Sequence, residues 1–210
     1  MMAHSLTLVA TWAATLAEKA RRAPVWAMVL IIAAMLSVQA GFEFAIGRVP
    51  MCTCGTIKLW VGGSTSPETS QQIFDWYSLS HVIHGFGLYG LTWLLLPRAP
   101  IAARLILAVA VECSWEMLEN TNLIIDRYRA GTISLNYYGD SIVNSISDTS
   151  TMMFGFGLAY WLPVWTIVTA AVLLEALAGY VIRDNLTLNI IMLIYPFEAI
   201  RAWQGGASVH

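Results

Sequence analysis

Apolar residues in this chain come in long runs rather than in alternation, and the runs have the length of a bilayer. Stretches near twenty apolar residues, which a hydrocarbon core of about 30 Å demands of a helix, fall at roughly 25–46, 75–96, 101–121, 141–162, 164–182 and 186–202. The last is broken by Asn189, Pro196 and Glu198, so it reads as a short or re-entrant helix as readily as a span. The pattern predicts an all-α, polytopic transmembrane bundle with five or six spans. Residues 1–210 form one integral membrane domain, with no internal repeat, and polar loops are expected at 47–74 and 122–139.

Composition agrees with the runs. The chain is 58% hydrophobic and 11% charged, against about a quarter charged residues in soluble domains. The formal net charge of −2, with no basic run, excludes nucleic acid as a partner, because that affinity comes from Lys and Arg neutralising phosphates. The lipid bilayer is the expected surrounding. Lys19, Arg21 and Arg22 precede the first run, which places the N-terminus in the cytoplasm of a bacterial inner-membrane protein. Both loops then face the extracytoplasmic side. The same segment fits a secretory leader, with a basic region, an apolar core over 25–36 and Val38-Gln39-Ala40 as a cleavage-like site. The apolar run continues through Phe42 and Phe44, which favours an uncleaved span.

Ionisable residues inside apolar runs mark candidate chemistry, since each costs on the order of 2.5 to 3.5 kcal/mol at a bilayer centre. The third run carries Glu112, Glu116 and Glu119, at i, i+4 and i+7, on one helical stripe. The fourth opens with Asp140, Asn144 and Asp148, again on one side, and the second carries His81 and His84 beside Tyr77. Glu43, Asp184 and Asn185 fall at a similar depth. Under the orientation above, these groups converge near the extracytoplasmic surface. A plainer role exists for several of them: Glu119, Asp126 and Asp140 can sit among headgroups, and Asn144, Ser145 and Ser147 can bond neighbouring helices. Gly85, Gly87 and Gly90, with Gly155, Gly157 and Ala159, are small residues that let helices approach closely. Cys52 and Cys54 lie in the first loop, where an oxidising compartment permits a disulfide or a weak metal site.

Two carboxylates on facing helices can share a proton, one serving as base toward water and the other as acid toward the leaving group. Asp126 or Glu116 on one side, with Asp148 or Asp140 on the other, meets that requirement. "NLIIDR" and "NSISD" resemble the catalytic stretches of lipoprotein signal peptidase (signal peptidase II), a membrane aspartyl peptidase. The resemblance implies Asp126 and Asp148 as the catalytic pair, preceded by Asn122 and Asn144, with Arg127 beside the first. "NLIIDR" has one residue more than the family pattern, and Ser147 stands where that family has alanine. A broader resemblance runs through "CTCGTIKLW", "DWYSLSHVIHGF", "YYGDSIVNSISD" and "VIRDNLTLNIIMLIYP". These are similar to an alphaproteobacterial integral-membrane family of the domain-of-unknown-function 2585 type, which implies an inner-membrane location and no stated activity. The "GDSIVNSISD" segment followed by "GFGLA" also resembles VanZ-like membrane proteins.

The leading expectation is therefore a hydrolase-like site of aspartyl-peptidase type acting on a membrane-associated peptide or lipid. Its catalytic candidates are Asp148, Asp126, Asp140 and Glu116, supported by His81, His84, Glu112, Glu119, Asn120, Asn122, Arg127 and Asn144. That chemistry needs no cofactor. A second reading makes His81, His84, Glu116 and Glu119 ligands of a divalent metal. Bis-histidine haem is disfavoured because His4 and His210 lie at the termini. A third reading is non-enzymatic, with the same acids binding a ligand or a partner subunit.

Overall fold

The computed structural model describes residues 24–132 and 134–206. Lys19, Arg21, Arg22, His4 and His210 lie outside the described residues, so the cytoplasmic N-terminus and the basic part of a leader are not seen. Within the described residues the chain is helical: α1 Val25–Ala45, α2 Ser78–Leu95, α3 Ile101–Glu119, α4 Asn122–Gly131, α5 Ile142–Trp161, α6 Val164–Val181, α7 Leu186–Ile194 and α8 Glu198–Gly205. Extended pairing there is confined to an isolated bridge between Trp60 and Phe74.

Local chemistry sets these boundaries. Pro24, Pro100 and Pro163 stand at the N-caps of α1, α3 and α6, where a missing N–H costs nothing. Helix α1 closes at Gly47, whose φ of +87° suits a residue without a Cβ, and the Arg48 N–H then reaches back 2.9 Å to the Glu43 carbonyl. One segment departs from the sequence expectation, and another takes the shorter of the two forms left open for it. The loop expected at 122–139 contains helix α4, and the segment at 186–202 is two short helices parted at Tyr195 and Pro196. Helices of 9 and 8 residues are too short to span a bilayer.

The bundle core is stratified. Helices α2 and α5 make the most extensive contact, α1 and α3 pack together, α3 touches α5 and α2, and α6 lies on α2. One stratum is apolar, formed by Ile32, Ala108, Val109, Cys113, Met152 and Phe156. The other, at the end of the bundle where α1 and α3 finish and α2 and α5 begin, is polar: Gln39, Glu43, His81, Glu112, Glu116 and Asp148 are all buried. Gly85 and Gly155 bring α2 and α5 together; a Cβ on Gly85 would stand 2.2 Å from the Met152 carbonyl, and one on Gly155 2.2 Å from that of Val82. Gly87, Gly90 and Gly157, grouped with them by sequence, face open space.

Outward-facing surfaces are the reverse of the core. Helices α1 and α6 are long and apolar enough to cross a membrane. Helix α1 buries only Ile32, Gln39 and Glu43 and exposes Trp26, Val29, Leu30 and Val38. Helix α6 buries Ala178 and exposes Val164, Trp165, Val172 and Leu173. Large apolar side chains outside and carboxylates inside suit hydrocarbon rather than water as the surrounding.

The 47–74 loop covers the polar end and is tied to α5. The first N–H groups of a helix have no partner within it. Here the Ile142 N–H donates to the Val49 carbonyl at 2.9 Å and the Val143 N–H to that of Pro50 at 3.1 Å. The Asn144 N–H donates to its own N-cap, the Ser141 hydroxyl, at 3.2 Å. Ser141 Oγ and Asn144 Nδ2 then donate to the Gln71 and Gln72 carbonyls at 3.0 and 2.9 Å. In the same loop Cys52 and Cys54 form a disulfide.

Candidate functional site

His81 and His84 sit one turn apart on α2 and turn the same nitrogen toward α3. His81 Nδ1 lies 2.7 Å and His84 Nδ1 3.0 Å from a single atom, Glu112 Oε1. Glu116, the next turn of α3, places Oε1 3.4 Å from His81 Nδ1. The far side of the His81 ring looks at α5, with Nε2 3.8 Å from Asp148 Oδ2. Asp148 is held on its other oxygen by the Ser78 hydroxyl, which donates at 2.9 Å. His81 therefore bridges carboxylates from two helices.

Behind Glu116 lies a second knot. Ser145 Oγ is 2.8 Å from Glu116 Oε2 and 2.6 Å from Glu43 Oε1, and it accepts a hydrogen bond from Gln39 Nε2 at 2.7 Å. A hydroxyl has one hydrogen to give. With Gln39 donating, it can serve only one of the two carboxylates, so the other must bring its own proton. Thr149 completes the knot by donating to Gln39 Oε1 at 3.0 Å. Glu116 Oε1 and Glu43 Oε2 are buried and accept no hydrogen bond.

A cavity of about 240 Å³ opens beside this cluster. His81, His84, Asp148, Asp140 and Glu119 line its polar side, and Leu186, Ile190 and Leu193 of α7 its apolar side. A wider cavity of about 610 Å³ lies against it, sharing Ser70, Tyr77, Ser134, Tyr137 and Asp140 and reaching Arg48 under the 47–74 loop. Asp140 stands at the junction. Its backbone N–H donates to Asn120 Oδ1 at 2.7 Å, and its carboxylate accepts from Asn120 Nδ2 at 3.0 Å and from Tyr137 at 3.2 Å. Burial pushes its carboxyl up to about 6, opposed by the Asn120 hydrogen bond and reinforced by Asp75. Asp184 is likewise raised to about 6 by burial, against hydrogen bonds from the Asn185 backbone, Tyr77, Asn189 and Gln204.

The sequence candidates thus separate. His81, Glu112, Glu116 and Asp148 come together, His84 joins through Glu112, and Asp140, clamped by Asn120, lines the same cavity as Glu119. Asp126 does not join them. Its side chain is 74% exposed on α4, 4.0 Å from Arg129, so the pairing of Asp126 with Asp148 is not formed. Asn122 is exposed at the start of α4. Arg127 orients no acid; it donates to the Leu193 and Ile194 carbonyls at 2.9 and 3.1 Å, satisfying the end of α7. Asn144 secures the loop over α5 rather than a carboxylate. In the metal set read from sequence, Glu116 and Glu119 fall outside the tight group, which is His81, His84 and Glu112. Ser78, Ser145 and Gln39 were not singled out as site residues. Gln39, one turn before Glu43 in an apolar run, was the most legible of the three.

Comparison with known proteins places this geometry in a family. Residues 43–206 match the model of the family described as "Protein of unknown function (DUF2585)". A UPF0314 protein of Rhizobium etli (strain CIAT 652) is 56% identical over 173 residues, 82% of this chain and 89% of its own length. UPF0314 proteins of Brucella anthropi and Paracoccus denitrificans are 54% and 51% identical, over 84% and 88% of this chain and 90% and 93% of theirs. No solved structure matches. The matched region contains each residue of the buried cluster except Gln39, and the chain belongs to the DUF2585 family.

Proposed function

We propose that this protein is a multi-pass enzyme of the bacterial inner membrane with a hydrolase-type acid–base site near the extracytoplasmic surface. Helices α1, α2, α3, α5 and α6 are the spans and the N-terminus is cytoplasmic. At 1.5 Å per residue, helices of 18 to 21 residues reach roughly 27 to 32 Å, a hydrocarbon thickness. Helices α2, α3 and α5 carry too many polar groups to read as spans by hydropathy alone, and His81, Glu112, Glu116 and Asp148 among them are turned inward.

One observation carries the reading: the His81 ring is held between Glu112 and Asp148, in the wall of a cavity that Asp140 also lines. Asp148, fixed by Ser78 and faced by His81, takes a proton from water. Asp140, with a carboxyl near 6, exchanges protons close to neutrality and serves the leaving group. The apolar flank of α7 suits a substrate that stays partly in the membrane, a peptide or a lipid.

The test is made in cells lacking the protein, restored with the native chain or with Asp148→Asn. New protein N-termini and lipid species are mapped by mass spectrometry in both membranes. Products that appear only with Asp148 intact are the expected result. Identical membranes in the two strains would refute a hydrolase.

A further inference from the structure

The imidazoles and glutamates of α2 and α3 have more the arrangement of a metal site than of an ion pair. We propose that His81 Nδ1, His84 Nδ1, Glu112 Oε1 and Glu116 Oε1 hold one divalent first-row transition metal, with zinc as the type ion. This goes beyond the hydrolase reading and does not require it, because the ion lies behind the cavity wall rather than in the cavity.

Four observations point to it. The first is convergence. Two Nδ1 atoms approach one carboxylate oxygen at 2.7 and 3.0 Å, and the Glu116 oxygen is 3.4 Å from His81 Nδ1. Ligands of a tetrahedral ion, at bond lengths of 2.0 to 2.2 Å, stand about 3.3 Å from one another. His81, His84 and Glu112 already offer ligand atoms within 4.8 Å of one another, and drawing Glu116 Oε1 inward from its place beside His81 fills the fourth position.

The second is the unused atom. Glu116 is 1% exposed, its Oε2 is engaged by Ser145, and its Oε1 faces the imidazoles and accepts no hydrogen bond. A buried carboxylate oxygen without a partner is costly. A metal bond is the partner that this position lacks.

The third is charge. Glu112 and Glu116 lie one turn apart at 2% and 1% exposure, while Lys58, Arg129 and Arg201 pair with carboxylates elsewhere, Glu68, Asp126 and Glu198. One divalent ion balances two ionised glutamates.

The fourth is the surrounding shell. A metal-bound histidine gives its other N–H to a carboxylate, and ligating carboxylates are themselves hydrogen-bonded. Asp148 stands on the Nε2 side of His81, and Ser145 holds the free oxygen of Glu116. Four protein ligands make a closed site of the structural kind. Its work is to lock α2 to α3 and to fix the His81 N–H toward Asp148.

The experiment uses the full chain in lipid nanodiscs, stripped with a chelator and titrated with cobalt(II). The native protein takes up one equivalent, with the intense visible bands of a four-coordinate ion, and zinc displaces it. His84→Ala and Glu116→Gln weaken cobalt binding more than tenfold, and Asp126→Asn, on the exposed face of α4, binds as the native chain does. X-ray absorption of the zinc-loaded native protein reads the ligands without any substitution; four light atoms including two imidazoles are expected. A six-coordinate, water-like shell, or cobalt binding unchanged in both ligand variants, would overturn the site. Cobalt binding and the Asp148-dependent products are read in separate assays, so either proposal can fail while the other stands.

Discussion

Replacing Gly85 with alanine perturbs the bundle at its tightest point. The added Cβ would lie 2.2 Å from the Met152 carbonyl oxygen, 2.5 Å from the Phe156 nitrogen and 2.8 Å from the Gly155 carbonyl carbon. All three are backbone atoms, so no rotamer change relieves the overlap. Restoring ordinary contact near 3.5 Å requires α2 and α5 to part by roughly 1 Å. Overpacking of this kind typically costs about 1 to 3 kcal/mol, and a contact made by backbone on both sides belongs at the upper end. His81 is one turn from Gly85, so the shift also loosens its contacts with Glu112 and Asp148. Gly87 supplies the contrast. It lies on the same helix with open space beside it, so alanine there is neutral or stabilises by about 0.5 to 1 kcal/mol through helix propensity. Thermal unfolding of both variants in one detergent, followed by circular dichroism, measures the difference. Equal unfolding temperatures for Gly85→Ala and Gly87→Ala would refute the close crossing and the placement of His81 that depends on it.

Ser145→Ala removes the hydroxyl shared by Glu43, Glu116 and Gln39 and leaves buried polar groups unpaired; a loss of about 2 to 4 kcal/mol is expected from the same unfolding assay. Asp140 binds its proton more tightly folded than unfolded, with a carboxyl raised from 3.8 to about 6. Stability therefore falls as pH rises between about 4 and 6 and is level above that, by up to about 3 kcal/mol for this group. Asp140→Asn flattens part of that slope, and Asp184, raised over the same range, accounts for a further share; unfolding midpoints from pH 4 to 7 read both. Asp126→Asn leaves the Asp148-dependent products in place, and their disappearance would restore Asp126 to the site.

The apolar runs located five helix bodies closely, because prolines and polar loops break the runs where the helices end. They also placed Glu43, His81, Glu112, Glu116 and Asp148 at one level, since depth along a helix is a count of residues. Rotation and register between helices are not such counts. That Glu112 rather than Glu119 meets the histidines follows from how α2 and α3 pack, and this depends on α2 lying against α5 at Gly85 and Gly155. Motif order draws Asp126 toward Asp148, but α4 forms where a loop is expected and turns that side chain outward. The break after Ile194 followed from Pro196. The carbonyls that cap α5 left no mark, because a peptide carbonyl is present at every residue.

That last point bears on how the 47–74 loop tolerates change. The groups it lends to α5 are main-chain oxygens of Val49, Pro50, Gln71 and Gln72, and main-chain oxygens do not depend on which side chain follows. Substitution at these positions keeps the attachment as long as the backbone path is kept. Deleting or inserting a residue between an anchoring oxygen and the helix beside it slides that oxygen out of line. The roof over the acids is thus written in the length of the loop more than in its letters.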